Sequence, residues 1–69
     1  MLTHEQERKL FLEFLRAKQT LSHYPVHYDN AIVNYLQGEV RSMLFQMGYS
    51  VEECMVSKDI ANELYERWR

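Results

Sequence analysis

Apolar positions in the first third of the chain recur at helical spacing. The set at three- and four-residue intervals is Leu10, Phe11, Phe14, Leu15 and Leu21. These positions predict one wide stripe on an amphipathic helix, with Leu12 off the stripe. Thr3 and Gln6 match a capping box of the form T-x-x-Q. Because Pro25 cannot continue a helix and pushes the residue before it toward extended backbone, the helix is predicted over residues 4–22.

The central segment carries the most regular pattern of the chain. Its apolar positions are Ile32, Tyr35, Leu36, Val40, Met43, Leu44 and Met47. Asp29 is the better candidate for the N-cap, and Gly48 follows the pattern as a left-handed terminator. Gly38 costs about 1 kcal/mol relative to Ala inside a helix, but it lies opposite the stripe and is interpreted as tolerated. A second helix is therefore predicted over residues 29–47.

The last segment predicts a third helical region over residues 51–68. Ser50 and Glu53 match another capping box, and Ser57 is a further candidate cap. Val51, Cys54 and Met55 are predicted to pack inward. A clear helical stripe follows, formed by Ile60, Ala61, Leu64, Tyr65 and Trp68. The pattern allows one helix or two with a break near 56–57, and we favour a continuous or mildly kinked helix.

Three amphipathic segments without strand signals predict an all-α fold. The expected architecture is a small three-helix bundle, or a helical hairpin with an additional helix, in one domain over residues 1–69. A chain this short buries only about 60% of its unfolded surface, which leaves its stability thin. We therefore expect a homodimer or higher oligomer.

Composition and charge narrow the functional classes. The net charge is −2, with ten acidic and eight basic side chains, so nucleic acid is not the expected partner. The start of the chain is acidic and polar, unlike a signal peptide, and no apolar run approaches the roughly 20 residues that span a membrane. The single cysteine indicates a reducing compartment. These features predict a cytoplasmic protein without a membrane partner.

No group of side chains predicts catalysis, a cofactor or a metal. His23 and His27 have the four-residue spacing of helical metal ligands, but Pro25 between them prevents that helix. Cys54 lies on an apolar face and is expected in the core. The carboxylates of the last segment are interpreted as a solvated face. No catalytic residue, cofactor or small-molecule substrate is therefore expected.

Two short stretches resemble known families. Met47-Gly48-Tyr49, with the residues that follow, resembles the loop between the first helices of ubiquitin-associated domains, but the later spacing is too short for that family's third helix. The segment 57–61, Ser-Lys-Asp-Ile-Ala, is similar to the Ser-Gln-Glu-Leu-Asp motif of small sporulation phosphatases, helical hairpins that act on response regulators. Ala61 stands where that family has its functional acid, so the activity is not carried over. The chain is assigned to neither family.

The chain has more large apolar residues than one core-facing stripe on each helix can bury. Leu12, Val33, Phe45 and Val56 fall outside the predicted stripes. Exposed apolar area, together with Tyr, Trp and Met, is typical of protein interfaces. The sequence therefore predicts a non-enzymatic protein–protein interaction module: a regulator, inhibitor or assembly factor of bacterial or phage type. The partner-binding candidates are Tyr35, Phe45, Tyr49, Tyr65 and Trp68.

Two alternatives stay open at this point. The first is a DNA-binding helical regulator that uses the turn at Gly48, although the segment after that turn carries more acid than base. The second concerns Trp68, which either covers the monomer core or enters a partner's groove as one anchor of a helix.

Overall fold

The computed structural model describes residues 2–22 and 28–69, without the side chains of Tyr28 and Asp29. It confirms the all-α fold. Its elements are α1 (His4–Leu21), α2 (Tyr28–Gln46), a 3-10 turn (Glu53–Val56) and α3 (Ser57–Trp68). No strand occurs among these described residues. None of their helices is long and apolar enough to cross a membrane.

The first helix begins as its sequence predicts. The Thr3 hydroxyl accepts a hydrogen bond from the Gln6 backbone N–H at 3.1 Å, and the Gln6 side chain accepts one from the Thr3 N–H at 2.9 Å. This reciprocal pair satisfies two donors that the first turn leaves without helical partners. The helix ends at Leu21, with Ser22 as its C-cap.

The second helix begins at Tyr28, one residue before its predicted start. Its N-cap lies outside the described residues, and Asp29 falls inside the helix instead of capping it. The helix ends at Gln46, one residue before its predicted end. The prediction of Gly48 as a left-handed terminator is confirmed, because Gly48 has a φ of +92° and the Tyr49 N–H donates to the Leu44 carbonyl at 3.1 Å. A glycine adopts this left-handed backbone without the steric cost of a Cβ.

Of the two alternatives for the third helical region, the favoured continuous helix is wrong and the division near 56–57 is correct. Residues Glu53–Val56 form a 3-10 turn, and α3 begins only at Ser57. The Ser57 N–H bonds to the Cys54 carbonyl, three residues back, which winds this segment more tightly than an α-helix. Ser57 is also not the cap: Val56 holds that position, and the Ser57 side chain is fully buried.

The core is divided into two contiguous clusters along the bundle. One contains Leu10, Val40, Met43, Leu44, Cys54 and Leu64, and the other contains Phe14, Ala17, Ile32, Leu36, Ala61 and Tyr65. The start of α1 thus packs near the end of α2, and α3 runs back along α2 toward its beginning. The result is an antiparallel three-helix bundle in which α2 packs against both other helices.

Aromatic side chains join α1 to the end of α3. The Trp68 ring lies edge-on to Phe11, with centroids 5.2 Å apart, and 5.6 Å from the Phe14 ring. Tyr65 meets Phe14 edge-on at 6.0 Å. Trp68 is partly buried and packs against both core clusters, so the C-terminal helix is integral to the fold.

Candidate interaction surfaces

Nine large apolar side chains are substantially exposed in the described part of the chain, and eight of them fall into two groups. The first group, the α1 surface, contains Phe11, Leu12 and Leu15. The second, the connection surface, lies between the end of α2 and the start of α3 and contains Phe45, Met47, Val51, Met55 and Val56. Tyr35, the ninth, stands by itself on α2.

The α1 surface is a contiguous strip on the solvent side of its helix. Leu15 lies three residues after Leu12 and four after Phe11, so the three side chains are neighbours on the helix surface. Leu12 is 55% exposed, Leu15 45% and Phe11 37%. Through its edge contact with Phe11, the half-buried Trp68 extends this strip toward α3.

Basic side chains surround the α1 surface. They are Arg8, Lys9, Arg16 and Lys18, all exposed, and the exposed Glu5 lies near Arg8 and Lys9. The Lys18 ammonium lies 5.8 Å above the Phe14 ring. Within residues 2–22 and 28–69, none of the four basic residues forms an ion pair; those present involve Arg67 and Arg69. The α1 surface is therefore apolar at its centre and positively charged at its edge.

The other two acids of α1 are engaged away from this surface. Glu7 pairs with Arg67 of α3 at 3.4 Å, and Arg67 also reaches Glu63 at 3.4 Å. Glu13 accepts a 2.6 Å hydrogen bond from the Tyr35 hydroxyl of α2. Both contacts hold carboxylates toward the neighbouring helices, and Glu7 is the one whose charge is offset by a cation.

Local hydrogen bonds set the shape of the connection surface. The Glu53 carboxylate accepts from the Ser50 N–H at 3.0 Å, and the Glu53 N–H donates to the Ser50 hydroxyl at 3.2 Å, which confirms the predicted capping box. These bonds from Ser50 lower the pKa of the Glu53 carboxyl. Val51 lies within this hydrogen-bonded turn and is 70% exposed. In the 3-10 turn that follows, Cys54 is buried and Met55 is 70% exposed.

The connection surface is acidic. Residues 42–57 contain Glu52 and Glu53 and no Lys or Arg. Lys58 and Asp59 follow at the start of α3, and their opposite charges cancel. The nearest basic residue on α2 is Arg41. The two exposed apolar surfaces of this chain therefore carry opposite charge.

The five partner-binding residues predicted from the sequence do not form one surface. Tyr35 and Phe45 are exposed on α2, but ten positions separate them, about 15 Å along the helix axis. Tyr49 is half-buried against the core, and Trp68 is half-buried between α1 and α3. Tyr65 is only 8% exposed and belongs to the core, where it contacts Phe14.

Six residues that the sequence placed on apolar stripes or predicted to pack inward are instead exposed, two of them Tyr35 and Met47 of the predicted second-helix stripe. Phe11 and Leu15 belong to the α1 surface, and Val51 and Met55 belong to the connection surface. A signal for Phe11 and Leu15 was present in the sequence. Ala17 aligns with Leu10 and Phe14 in a narrower stripe, and on a helical projection Phe11 and Leu15 lie about 100–140° from Leu10. Counting Ala17 as apolar would have moved the centre of the stripe away from both.

The side chains with reactive potential are dispersed. Cys54 is buried, as predicted, with its Sγ 4.0 Å from the Tyr49 carbonyl oxygen. No three His, Cys, Asp or Glu side chains within residues 2–22 and 28–69 are grouped as metal ligands would be. His23 and His27, which have the four-residue spacing of helical metal ligands, lie outside the described residues.

Comparison with known proteins adds no relative to this geometry. No protein-family model matches the chain, and neither the curated proteins nor the solved structures contain a match. The two exposed surfaces are the features of the described residues that bear on function, and the α1 surface has the clearer boundary and the more distinctive charge.

Proposed function

We propose that this protein is a protein–protein interaction module that acts as a regulator, inhibitor or assembly factor by binding another protein chain. The observation that carries the proposal is the α1 surface, with its three exposed apolar side chains and four cations that form no ion pair with any described residue. Action by binding without catalysis, a cytoplasmic location and a bacterial or phage origin are parts of the same proposal.

Binding at this surface has a physical driving force. Covering Leu12 and Leu15 removes apolar area from water, at about 25 cal/mol per Å². The two leucines and Phe11 lie on a regular helix, so a partner meets side chains whose backbone is already ordered. The cations around them speed the encounter with an acidic partner and fix its orientation.

The second candidate is a nucleic-acid-binding helical module. The observation in its favour is the group of four basic side chains on α1 that have no ion-pair partner in the described part of the chain, since phosphate contacts supply most non-specific affinity for nucleic acid. We rank it second because Leu12 and Leu15 lie among these basic side chains, and apolar side chains gain little from facing a phosphate backbone. Binding to a DNA duplex that weakens steeply as salt rises, and that is unaffected by replacing the leucines, would reverse this order.

The proposal is tested by replacing the apolar centre of the α1 surface. In affinity capture from the producing organism, the wild-type chain is compared with Val51→Ser/Met55→Ser and with the same variant that also carries Leu12→Ser/Leu15→Ser. The two variants lack the same exposed apolar residues of the connection surface, so they differ only in the α1 surface. We expect the first variant to retain a protein that the wild-type chain captures and the second variant to lose it. Equal capture by the two variants, each folded by circular dichroism, would contradict the proposal.

A further inference from the structure

We propose that the occupant of the α1 surface is a second copy of this chain, which docks through its connection surface. This inference rests on the proposed function and specifies the partner. In this arrangement, each molecule presents Leu12 and Leu15 to one neighbour and Val51 and Met55 to another. The contact joins two different surfaces, so it is head-to-tail.

Charge complementarity supports this pairing. Apart from Glu7, which pairs with Arg67, α1 carries Arg8, Lys9, Arg16 and Lys18 against Glu5 and Glu13, a balance of +2. Residues 42–59 of the connection carry Glu52, Glu53 and Asp59 against Lys58, a balance of −2. A positive surface facing a negative one guides encounter and orientation, while the apolar side chains at both centres supply the buried area.

The same charges disfavour symmetric pairing. In a twofold dimer each surface meets its own copy, so residue i faces j while j faces i. Two α1 surfaces would bring eight cations together, and two connection surfaces would bring together Glu52 and Glu53 of both copies. A contact between an α1 surface and a connection surface avoids both charge repulsions.

Both surfaces are accessible in one molecule. The 3-10 turn packs against α2 and α3, while the α1 surface faces away from the core. One copy can thus bind two neighbours, and assembly grows with concentration unless the rotation between copies closes a ring. With three and five apolar side chains, the surfaces are small against the roughly 20–30 residues per side of a standard interface, so micromolar or weaker affinity is expected.

The experiment uses two variants that each retain one surface. Leu12→Ser/Leu15→Ser disables the α1 surface, and Val51→Ser/Met55→Ser disables the connection surface. Sedimentation is measured for the wild-type chain, for each variant alone and for their 1:1 mixture, from about 10 µM to 1 mM. We expect the wild-type mass to rise with concentration and each variant to remain at 8.4 kDa. The mixture is expected to form a dimer and nothing larger, because it contains one intact pair of surfaces per two chains.

The dependence of self-association on ionic strength is an independent measurement. Raising ionic strength from about 0.05 to 0.5 M is expected to weaken wild-type association several-fold, because it screens the exposed charges. Circular dichroism spectra equal to wild type confirm that both variants are folded.

Two results would overturn the head-to-tail contact. One is a wild-type chain that stays at 8.4 kDa throughout the concentration range. The other is a wild-type chain that associates while the mixed variants do not, because a contact between these two surfaces must reappear in the mixture. If the chain is monomeric yet captures another protein through Leu12 and Leu15, the self-pairing fails and the proposed function stands.

Discussion

At the scale of single residues, the Tyr35–Glu13 hydrogen bond connects two helices through exposed side chains. The 2.6 Å bond to Glu13 raises the pKa of Tyr35 above its ordinary value of 10.0, with smaller contributions from burial and from the negative charge of Glu13. A folded-state pKa that is raised means stability that is present below pH 10 and lost as pH rises through the raised value. Tyr35 is 41% exposed, so the effect is small.

The corresponding prediction compares wild type with Tyr35→Phe in urea unfolding at pH 7 and at pH values above 10. The wild-type chain is expected to be slightly more stable at pH 7, and this advantage is expected to vanish as Tyr35 ionises beside the Glu13 carboxylate. Ionisation of the other four tyrosines does not affect the comparison, because they are present in both the wild-type chain and the variant. A difference that is constant across this pH range would show that the bond is not formed in solution.

The buried Ser57 hydroxyl finds no hydrogen-bond partner among the described residues. A buried hydroxyl without a partner has lost its hydration and gained nothing in return. Ser57→Ala is therefore expected to raise the free energy of unfolding by about 0.5–1.5 kcal/mol, with a further small gain from helix propensity. Denaturant unfolding of the two chains measures this. Destabilisation by Ala would mean that the hydroxyl has a partner in solution.

Cys54 is a core side chain, and its thiol is predicted to be inert in the folded state. Cys54→Ala is expected to lower stability by about 1–2 kcal/mol, as other modest core truncations do, and to leave partner binding unchanged. The native thiol should also react with a disulfide reagent far more slowly than the unfolded thiol. Loss of binding with an unchanged melting curve would instead indicate a reactive thiol.

At the scale of elements, the two glycines have opposite roles. Gly38 lies inside α2, where no atom stands within 4 Å of the position that a Cβ would take. Gly48 holds a φ of +92°, which an L side chain rarely adopts. Gly38→Ala is expected to stabilise the fold by about 0.5–1 kcal/mol and Gly48→Ala to destabilise it by about 1 kcal/mol.

Thermal unfolding of both glycine variants checks this pair directly, since each change adds a single methyl group. Equal shifts of the melting temperature in the same direction would show that the left-handed turn after α2 is not maintained in solution.

At the scale of the whole molecule, Trp68 connects the two core clusters. It packs against both of them and contacts Phe11 and Phe14 of α1. Trp68→Ala is expected to lower the free energy of unfolding by about 2–4 kcal/mol, less than for a fully buried ring. Trp68→Phe retains an aromatic ring, so its loss in free energy of unfolding is expected to be less than half of the loss caused by Trp68→Ala. A tail with no structural role would leave unfolding unchanged in both variants.

The sequence determined the parts of this fold that depend on neighbours along the chain. Thr3 with Gln6, Ser50 with Glu53 and the turn at Gly48 act over a few residues, so their positions follow from local hydrogen bonding and backbone sterics. The three apolar segments likewise predicted three helical regions, because an amphipathic repeat can bury its apolar face only as a helix in a bundle.

Tertiary structure alone decided which apolar residues are buried. α1 has more apolar positions than one bundle face can cover, and the approach of α2 and α3 selects Ala17 over Phe11 and Leu15. After Gly48, the turn closed by Ser50 and Glu53 leaves Val51 outside, and the 3-10 turn that follows places Met55 outward while Cys54 enters the core. Both surfaces of the proposed contact depend on the packing of helices distant in sequence, which a local repeat does not encode.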